Sequence, residues 1–295
     1  MLLDDVYVVS NTRALATDAR IMEAEAALGR RLPDGYHGFM TTLGAGELNL
    51  ALRVLPPDEL VARTRDFWRV QANLTAAAEE DGYSRWDLFD DSLALLPPTR
   101  LLSSVLVIDA GGGDEIVYHP DAPGDLFLLP HDDSVIVRVG GTVDEALARL
   151  LDEAQRGVRT RVLTANGVFE DRGGIIYFEP DPDRERLTLT LDRAVPFADV
   201  RTFLRAEALR HPGDALFVSD AYTRPDGNPG ETLRLFVRAY GGVIWCHQGL
   251  PDSAGVTVHI SYDRGRRTQD VDLICAFCRV GMRRRGPRWR FGRGG

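Results

Sequence analysis

The stretch "AALGRRLPDGYHGFMTTLGAG", residues 26–46, decides how the first half of the chain folds. Its helical spacing of apolar residues stops at Gly29 and again at Gly44, and glycine adopts the left-handed conformation that ends many helices. Pro33 lies between the two stops, and proline is favoured in the first turn of a helix. We therefore predict two short helices that meet at a tight corner.

The first of these helices is predicted over 18–29 with Asp18 as its N-cap. Leu28 and Leu32 flank the corner, and we expect both to pack against one core. Beyond the corner, alternating apolar residues predict a strand over 47–55.

The remainder of the first half alternates between helical and strand patterns. A helix is predicted over 58–82, and a helix over 142–157 with a Thr142–Glu145 capping box closes this half. Strand-like runs separated by glycine or proline turns lie between them, at 92–97, 103–110, 114–120, 125–130 and 134–139. Helices, an antiparallel meander and a closing helix are typical of an α+β fold.

The second half is richer in strand patterns and has one main predicted helix, over 196–213. Strands are predicted within 159–180 and over 186–192, 214–220, 231–249, 255–262 and 271–280, with a hairpin turn at Gly241-Gly242. We place a boundary near Gly157 and predict a first domain over 1–157, a second strand-rich α+β domain over 158–282, and a basic tail over 283–295.

The charge is divided unequally between the two halves. Residues 1–155 carry 27 acids and 12 arginines, a balance of −15, whereas residues 156–295 carry 17 acids and 23 arginines, a balance of +6. The chain has no lysine. An acid-rich half favours a basic protein surface as its partner and disfavours nucleic acid, although ordinary solubility also explains such a bias.

The chain shows no pattern of export or membrane insertion. The N-terminus "MLLDDVYVVS" has acids where a signal peptide has positive charge, and no later stretch approaches the ~20 apolar residues of a membrane span. The 3 cysteines give no disulfide framework. We expect a cytoplasmic protein.

Three pieces of the first half together resemble the SUKH superfamily, the Smi/Knr-type domains. They are "IMEAEAALGRRLPDGYHGFMTTLGAG" (21–46), "PPDELVART" (56–64) and "VLVIDAGGGDEIVYHPDAPGDLFLLPHDD" (105–133). The resemblance covers roughly residues 15–155, and the second half carries no recognised family pattern. It implies an α+β fold that works by binding protein. Many bacterial members are immunity proteins that neutralise a cognate toxin, often a nuclease.

The expected function is therefore the occlusion of a basic toxin domain by an acidic surface. The family supplies no catalytic residues, and we expect no cofactor and no metal. The residues predicted to bind the partner are carboxylates around the meander and two aromatic anchors: Asp87, Asp90, Asp91, Asp114, Glu115, Asp132 and Asp133, with Trp86 and Tyr118. The alternatives are an adaptor or regulatory protein of the envelope or defence machinery, and an enzyme in residues 158–295.

The glycine-rich segment "DAGGGDE" (109–115) invites a phosphate-binding interpretation. It lacks the Lys-Ser/Thr of a P-loop and precedes a strand, so we predict a tight turn between two strands. His119 and His131 fall at strand ends beside prolines, and we interpret them as polar turn residues.

A second constellation holds soft metal ligands: Cys246-His247, His259 and Cys275-x-x-Cys278. A C-x₂-C pair with two further ligands is how a structural zinc site begins. The predicted strand over 271–280 would point its two cysteines to opposite faces, which argues against zinc. Whether these cysteines hold a metal stays open. The Arg-rich tail could bind a phosphate backbone, an anionic membrane surface or the chain's own acidic half.

Overall fold

The computed structural model describes the chain as two compact units. The first takes Met1–Val8, Arg13–Arg156 and Ile176–Pro182, and the second takes Val9–Thr12, Gly157–Ile175 and Asp183–Gly295. The described residues are 6–10, 12–49, 51–82, 84, 94–121, 125–131, 133, 135–155, 159–163, 167–172, 176–180, 184–191, 195–211, 215–223, 229–248, 256–266 and 269–282.

The first unit packs helices against a small sheet and a meander. Its helices are α1 (Asp18–Leu28), α2 (Tyr36–Thr42), α3 (Pro57–Glu80), α4 (Pro98–Leu101) and α5 (Val143–Gln155). Its first strands are β1 (Tyr7–Val8), β2 (Gly46–Leu48) and β3 (Arg53–Val54). The meander strands are β4 (Val105–Asp109), β5 (Glu115–Tyr118), β6 (Leu126–Leu129) and β7 (Val137–Gly140), which form one five-stranded antiparallel sheet in the order β3-β4-β5-β6-β7.

The predicted corner between α1 and α2 is present. Gly29 has a φ of 64° and ends α1, and the Glu25 side chain accepts a hydrogen bond from the Leu32 N–H at 3.0 Å. Leu28 is buried and Leu32 packs against the same core, as predicted. The N-cap of α1 is Thr17 instead of Asp18, because the Thr17 hydroxyl accepts from the Arg20 N–H at 3.3 Å.

The other helix starts in this unit differ in part from the sequence expectation. Gly35, with a φ of 86°, precedes α2, so Pro33 lies outside that helix. Pro57 begins α3 after Pro56, and Asp58 lies inside its first turn. The predicted capping interaction of α5 is present, because the Thr142 hydroxyl accepts from the Glu145 N–H at 3.2 Å.

The strand predicted over 47–55 is divided between two sheets. Asn49 adopts a φ of 52°, and the chain doubles back there through reciprocal hydrogen bonds between Leu48 and Leu52 at 2.8 and 3.0 Å. As a result β2 and β3 join different partners. The strand predicted over 92–97 is wrong where the structure describes it, since residues 94–97 form a turn that leads into α4.

A strand from beyond residue 157 completes the first unit. It is β10 (Tyr177–Pro180), which pairs in parallel with β1 and antiparallel with β2. Phe178 is fully buried and meets Phe39 of α2 edge to face at 6.0 Å between ring centroids. This differs from the predicted first domain, 1–157, because strand pairing and the burial of Phe178 place residues 176–182 with the first unit.

The second unit is built on one seven-stranded antiparallel sheet in the order β11-β15-β14-β13-β12-β8-β9. The strands are β8 (Arg159–Leu163), β9 (Phe169–Arg172), β11 (Arg184–Thr190), β12 (Ala215–Thr223), β13 (Pro229–Val237), β14 (Gly242–Gln248) and β15 (Val256–Asp263). The helices are α6 (Phe197–Arg210) and α7 (Gln269–Met282). The hairpin between β13 and β14 contains a 3-10 turn, Arg238–Tyr240, before Gly241.

The segment predicted as a strand over 271–280 is the helix α7. Val271, Ile274 and Cys275 are buried at helical spacing, whereas Asp272 and Leu273 are exposed. The prediction of a strand over 271–280 is therefore wrong, and the argument against a zinc site that was based on this strand is wrong as well. Cys246 and Cys275 both lie in the core between the helices and the sheet.

A buried ion pair stabilises one end of this sheet. The Arg184 guanidinium donates to Asp263 Oδ1 at 2.9 Å, to the Gly241 carbonyl at 2.8 Å and to the Ser261 hydroxyl at 2.9 Å. The Ser10 hydroxyl donates to the other carboxylate oxygen of Asp263 at 2.6 Å. Each charge is thus compensated inside the protein.

The predicted α+β class is confirmed for the described residues. Within those residues, no helix combines the length and the apolar character that a membrane span requires.

A substitution at Gly44 tests the close approach behind α2. Gly44 has a φ of 82°, and a Cβ there would lie 2.3 Å from the Ala14 carbonyl oxygen. We expect Gly44→Ala to lower the free energy of unfolding by about 3 kcal/mol or more, through backbone strain and overpacking combined. Gly29→Ala is the control, because it meets open space at a φ of 64° and should cost about 1–2 kcal/mol. Urea unfolding measures both, and equal losses would contradict the steric argument.

The buried pair in the second unit gives a separate prediction. Asp263→Asn leaves the buried Arg184 charge without its counter-ion, and we expect a loss of about 3–5 kcal/mol in the free energy of unfolding. Arg201→Gln removes the surface pair with Glu231 and should cost less than about 1 kcal/mol. A small loss for Asp263→Asn in urea unfolding would show that Arg184 is solvated.

Candidate functional site

Four of the predicted partner-binding residues are described by the structure: Asp114, Glu115, Tyr118 and Asp133. All four belong to the first unit. The other five predicted residues lie outside the described residues: Trp86, Asp87, Asp90, Asp91 and Asp132.

The glycine-rich segment is a turn, as predicted. Its three glycines, Gly111 to Gly113, have φ values of 74°, 63° and 104°, which a residue with a side chain rarely adopts. The turn places Asp114 beside His131. Both the ring Nδ1, at 2.8 Å, and the backbone N–H, at 2.9 Å, of His131 lie against Asp114 Oδ1.

This contact changes the acidity of Asp114. The hydrogen bonds from the ring and the backbone of His131 lower the pKa of the Asp114 carboxyl, because they stabilise its ionised form. Asp114 is therefore a negative charge at neutral pH, and the half-exposed His131 ring is held against it.

A second group of charges lies next to the turn. Arg63 of α3 reaches Asp109 at 3.5 Å and Glu115 at 3.6 Å. Burial raises the pKa of the Glu115 carboxyl, and Arg63 opposes this rise. Glu115 is thus a poorly solvated carboxylate that depends on a nearby cation.

These groups border a cavity of about 180 Å³. Its lining includes Gln71, Leu101, Glu115, His131, Asp133 and Ile136. The volume is below the roughly 300–1,000 Å³ of typical small-molecule sites. Among the residues that the structure describes, an acid and a histidine line the cavity, and no serine, threonine or cysteine does.

Two of the predicted residues differ in their exposure. Asp133 is exposed at the rim of the cavity. Tyr118 was predicted as an aromatic anchor, but only 7% of it is exposed and it belongs to the core. Burial, and next the Asp34 carboxylate, raise the pKa of its phenol. Tyr118 therefore serves packing in this unit and presents no ring to a partner.

The surface of α3 was missed by the sequence analysis. Val70 and Leu74, one helical turn apart, are 44% and 45% exposed. Glu79, Glu80 and Asp81 are also exposed at the C-terminal end of the helix, where its last turn contains no basic residue. Carboxylates at this end face the negative pole of the helix dipole, which destabilises the helix. The acids were visible in the sequence, but their exposure beside an apolar stripe required the structure.

His119 is a core residue, contrary to its interpretation as a polar turn residue. Only 3% of it is exposed. The Asp121 N–H donates to its Nδ1 at 3.1 Å, and its Nε2 lies 3.0 Å from the Ser103 hydroxyl and 3.4 Å from Arg30 Nη1. Burial, and next the Arg30 guanidinium, lower the pKa of the imidazole. His119 connects β5 to the residues that follow α4.

The sheet separates the two histidines from the cysteines of the candidate zinc site. His247 and His259 lie together, with 3.4 Å between their Nε2 atoms, whereas Cys246 and Cys275 lie in the core. Across the described residues, no group of three or more His, Cys, Asp or Glu side chains is arranged to hold a metal ion.

The sequence matches no protein-family model, and a search of curated proteins finds no related sequence. The resemblance to the SUKH superfamily thus rests on the motifs alone.

His119 predicts a pH dependence of the stability of the first unit. Its pKa is lowered by folding, so the unfolded chain binds the proton more readily, with a pKa of about 6.5. Its contribution is therefore complete above pH ~6.5 and is lost as the pH falls from there towards the folded pKa. We expect the difference in the free energy of unfolding between the wild type and His119→Gln to become smaller as the pH falls from 7 to 5. Urea unfolding at each pH measures it.

His37→Gln is the control for this experiment, because His37 is exposed and pairs with Asp18 at the surface. Its difference from the wild type should not shrink in the same way. A pH-independent difference for His119→Gln would show that the folded protein accepts a charged imidazole at this position.

Proposed function

We propose that the first unit is a protein-binding module that recognises a basic partner, and that it acts as an immunity-type protein that neutralises a toxin domain. The observation that carries this proposal is the surface of α3, which combines exposed carboxylates, none of them in an ion pair with a described residue, with an exposed apolar stripe. We name this surface the α3 face and define it by Val70, Leu74, Glu79, Glu80 and Asp81.

The charge of the α3 face works against the stability of its own helix. Three carboxylates at the C-terminal end each cost roughly 0.3–1 kcal/mol through the helix dipole. Among the described residues, none of the three forms an ion pair. A partner with arginine or lysine side chains would compensate both the carboxylates and the dipole, so the arrangement favours binding at the expense of helix stability.

Two exposed apolar side chains form the apolar part of the α3 face. Val70 and Leu74 are exposed on the same side of α3, and Gln71 between them borders the cavity that Glu115 and Asp133 line. Apolar residues with a charged rim are typical of protein interfaces. The carboxylates speed the encounter with a basic partner by long-range attraction.

The identification of the partner as a toxin is the more specific part of the proposal, and it follows from the resemblance to the SUKH superfamily. In a nuclease toxin the active site is basic because it binds phosphates, and carboxylates of the α3 face would take the place of those phosphates. The same surface serves an adaptor of the envelope or defence machinery equally well. The identity of the captured partner distinguishes the two.

The variant Glu79→Gln/Glu80→Gln/Asp81→Asn tests the α3 face. We expect it to be more stable than the wild type by about 0.3–1 kcal/mol for each carboxylate removed, because the unfavourable dipole interaction disappears. We also expect slower association with the partner and a weaker salt dependence of the rate. Urea unfolding and surface plasmon resonance at low and high salt measure the two effects.

The matched control, Glu23→Gln/Asp34→Asn/Asp152→Asn, removes the same charge from exposed acids outside α3 and the meander turns. The partner is first captured by the tagged wild-type chain from lysate of its source. A basic partner that arrests growth when expressed alone, and is relieved by co-expression, supports immunity, whereas a harmless partner supports the adaptor. Equal association rates for both triple variants would rule out the α3 face as the binding surface.

A further inference from the structure

Two histidines of the second unit meet on the face of the sheet opposite the one that packs against α6 and α7. Trp245 on β14 is the register partner of His259 on β15, and His247 lies two residues beyond Trp245 on the same face. Cys246, between them, points into the core with residues of α6 and α7. Both histidines are partly exposed.

The two imidazole rings face each other end to end. Their planes differ by 20° and their centroids are 5.5 Å apart, while the Nε2 atoms are 3.4 Å apart. The line between the two ring centres therefore runs close to both Nε2 atoms, because the difference between these two distances is about the sum of the two centre-to-nitrogen distances within the rings. The two Nε2 atoms therefore point towards each other across a short gap.

Neighbouring side chains fix this orientation. The Thr188 hydroxyl lies 3.1 Å from His259 Nδ1, so the Nδ1–H can donate to it and leave Nε2 unprotonated. The Trp245 ring stacks on His259 at 5.1 Å and lies 5.3 Å from His247. In metal-binding histidines a hydrogen bond from the second ring nitrogen fixes the tautomer and the ring orientation, and the Thr188 hydroxyl is within reach of such a bond here.

We propose that His247 and His259 bind one Cu(I) ion in linear two-coordinate geometry between their Nε2 atoms. With metal–nitrogen bonds of ~2 Å, the gap has to open from 3.4 Å to about 4 Å, a small movement for two partly exposed side chains. Cu(I) is satisfied by two nitrogens in a line.

Zinc is the less suitable ion for this pair. It requires four ligands in a tetrahedral arrangement, and no third His, Cys, Asp or Glu joins the pair among the described residues. The proposal concerns the second unit and is independent of the function proposed for the α3 face.

The protonation of the pair is compatible with metal binding near neutral pH. Burial, and next the proximity of His247, lower the pKa of His259, so its ring is neutral at pH 7. Metal and protons compete for the same lone pairs, so the affinity for Cu(I) should fall in acid.

The experiment measures Cu(I) affinity of the full chain under anaerobic conditions with ascorbate, using bicinchoninate as the competing chelator. We expect one high-affinity Cu(I) in the wild type and a loss of at least about 100-fold in His247→Gln and in His259→Gln. Thr188→Val should weaken binding by about 10–100-fold, because it removes only the orienting hydroxyl. His37→Gln, a histidine of the first unit, should leave the affinity unchanged.

Copper K-edge X-ray absorption of the wild type gives a readout that does not depend on how the variants fold. Two nitrogen neighbours at ~2 Å and no sulfur support the proposal. Sulfur neighbours would assign the ion to the cysteines and overturn it. An affinity that neither histidine variant changes, or Zn²⁺ bound more tightly than Cu(I) by the same pair, would overturn it as well.

Discussion

The first unit depends on two positions where the chain has no room for a side chain. Gly44 passes within contact distance of the Ala14 backbone, and Gly46 lies against the Phe178 ring, where a Cβ would be 2.4 Å from the ring. These two glycines let β2 pass between the segment before α1 and the strand β10. Phe178 then packs against Phe39, and the helical corner is joined to a strand that follows the whole meander in sequence.

The charges of the first unit divide into those that stabilise it and those that do not. Arg63 and His131 compensate Asp109, Glu115 and Asp114 around the cavity, whereas the acids at the end of α3 have a destabilising position. In the second unit the pattern differs, because the buried Arg184–Asp263 pair is hydrogen-bonded to Gly241 and Ser10 and supports the sheet. The proposed binding surface therefore uses exposed charge, whereas the Arg184–Asp263 pair is part of the interior.

Part of the candidate site was predictable from the sequence. The glycine turn with Asp114 and Glu115 was found because three glycines before an acid define a turn by local backbone geometry alone. His131 was placed at a strand end but not beside Asp114, since that contact joins two different turns. Tyr118 and His119 were misjudged because alternation along β5 does not show that both faces of the strand are covered.

The sequence by itself determined the α+β class, the corner at Gly29, the meander and the charge asymmetry, because these depend on spacing and composition over short distances. Tertiary structure decided the rest. It placed β10 in the first unit, made 269–282 a helix, and brought His247 to His259 while burying Cys246 on the opposite face. Each of these outcomes depends on strand pairing or burial between residues that are distant in sequence, which local periodicity does not encode.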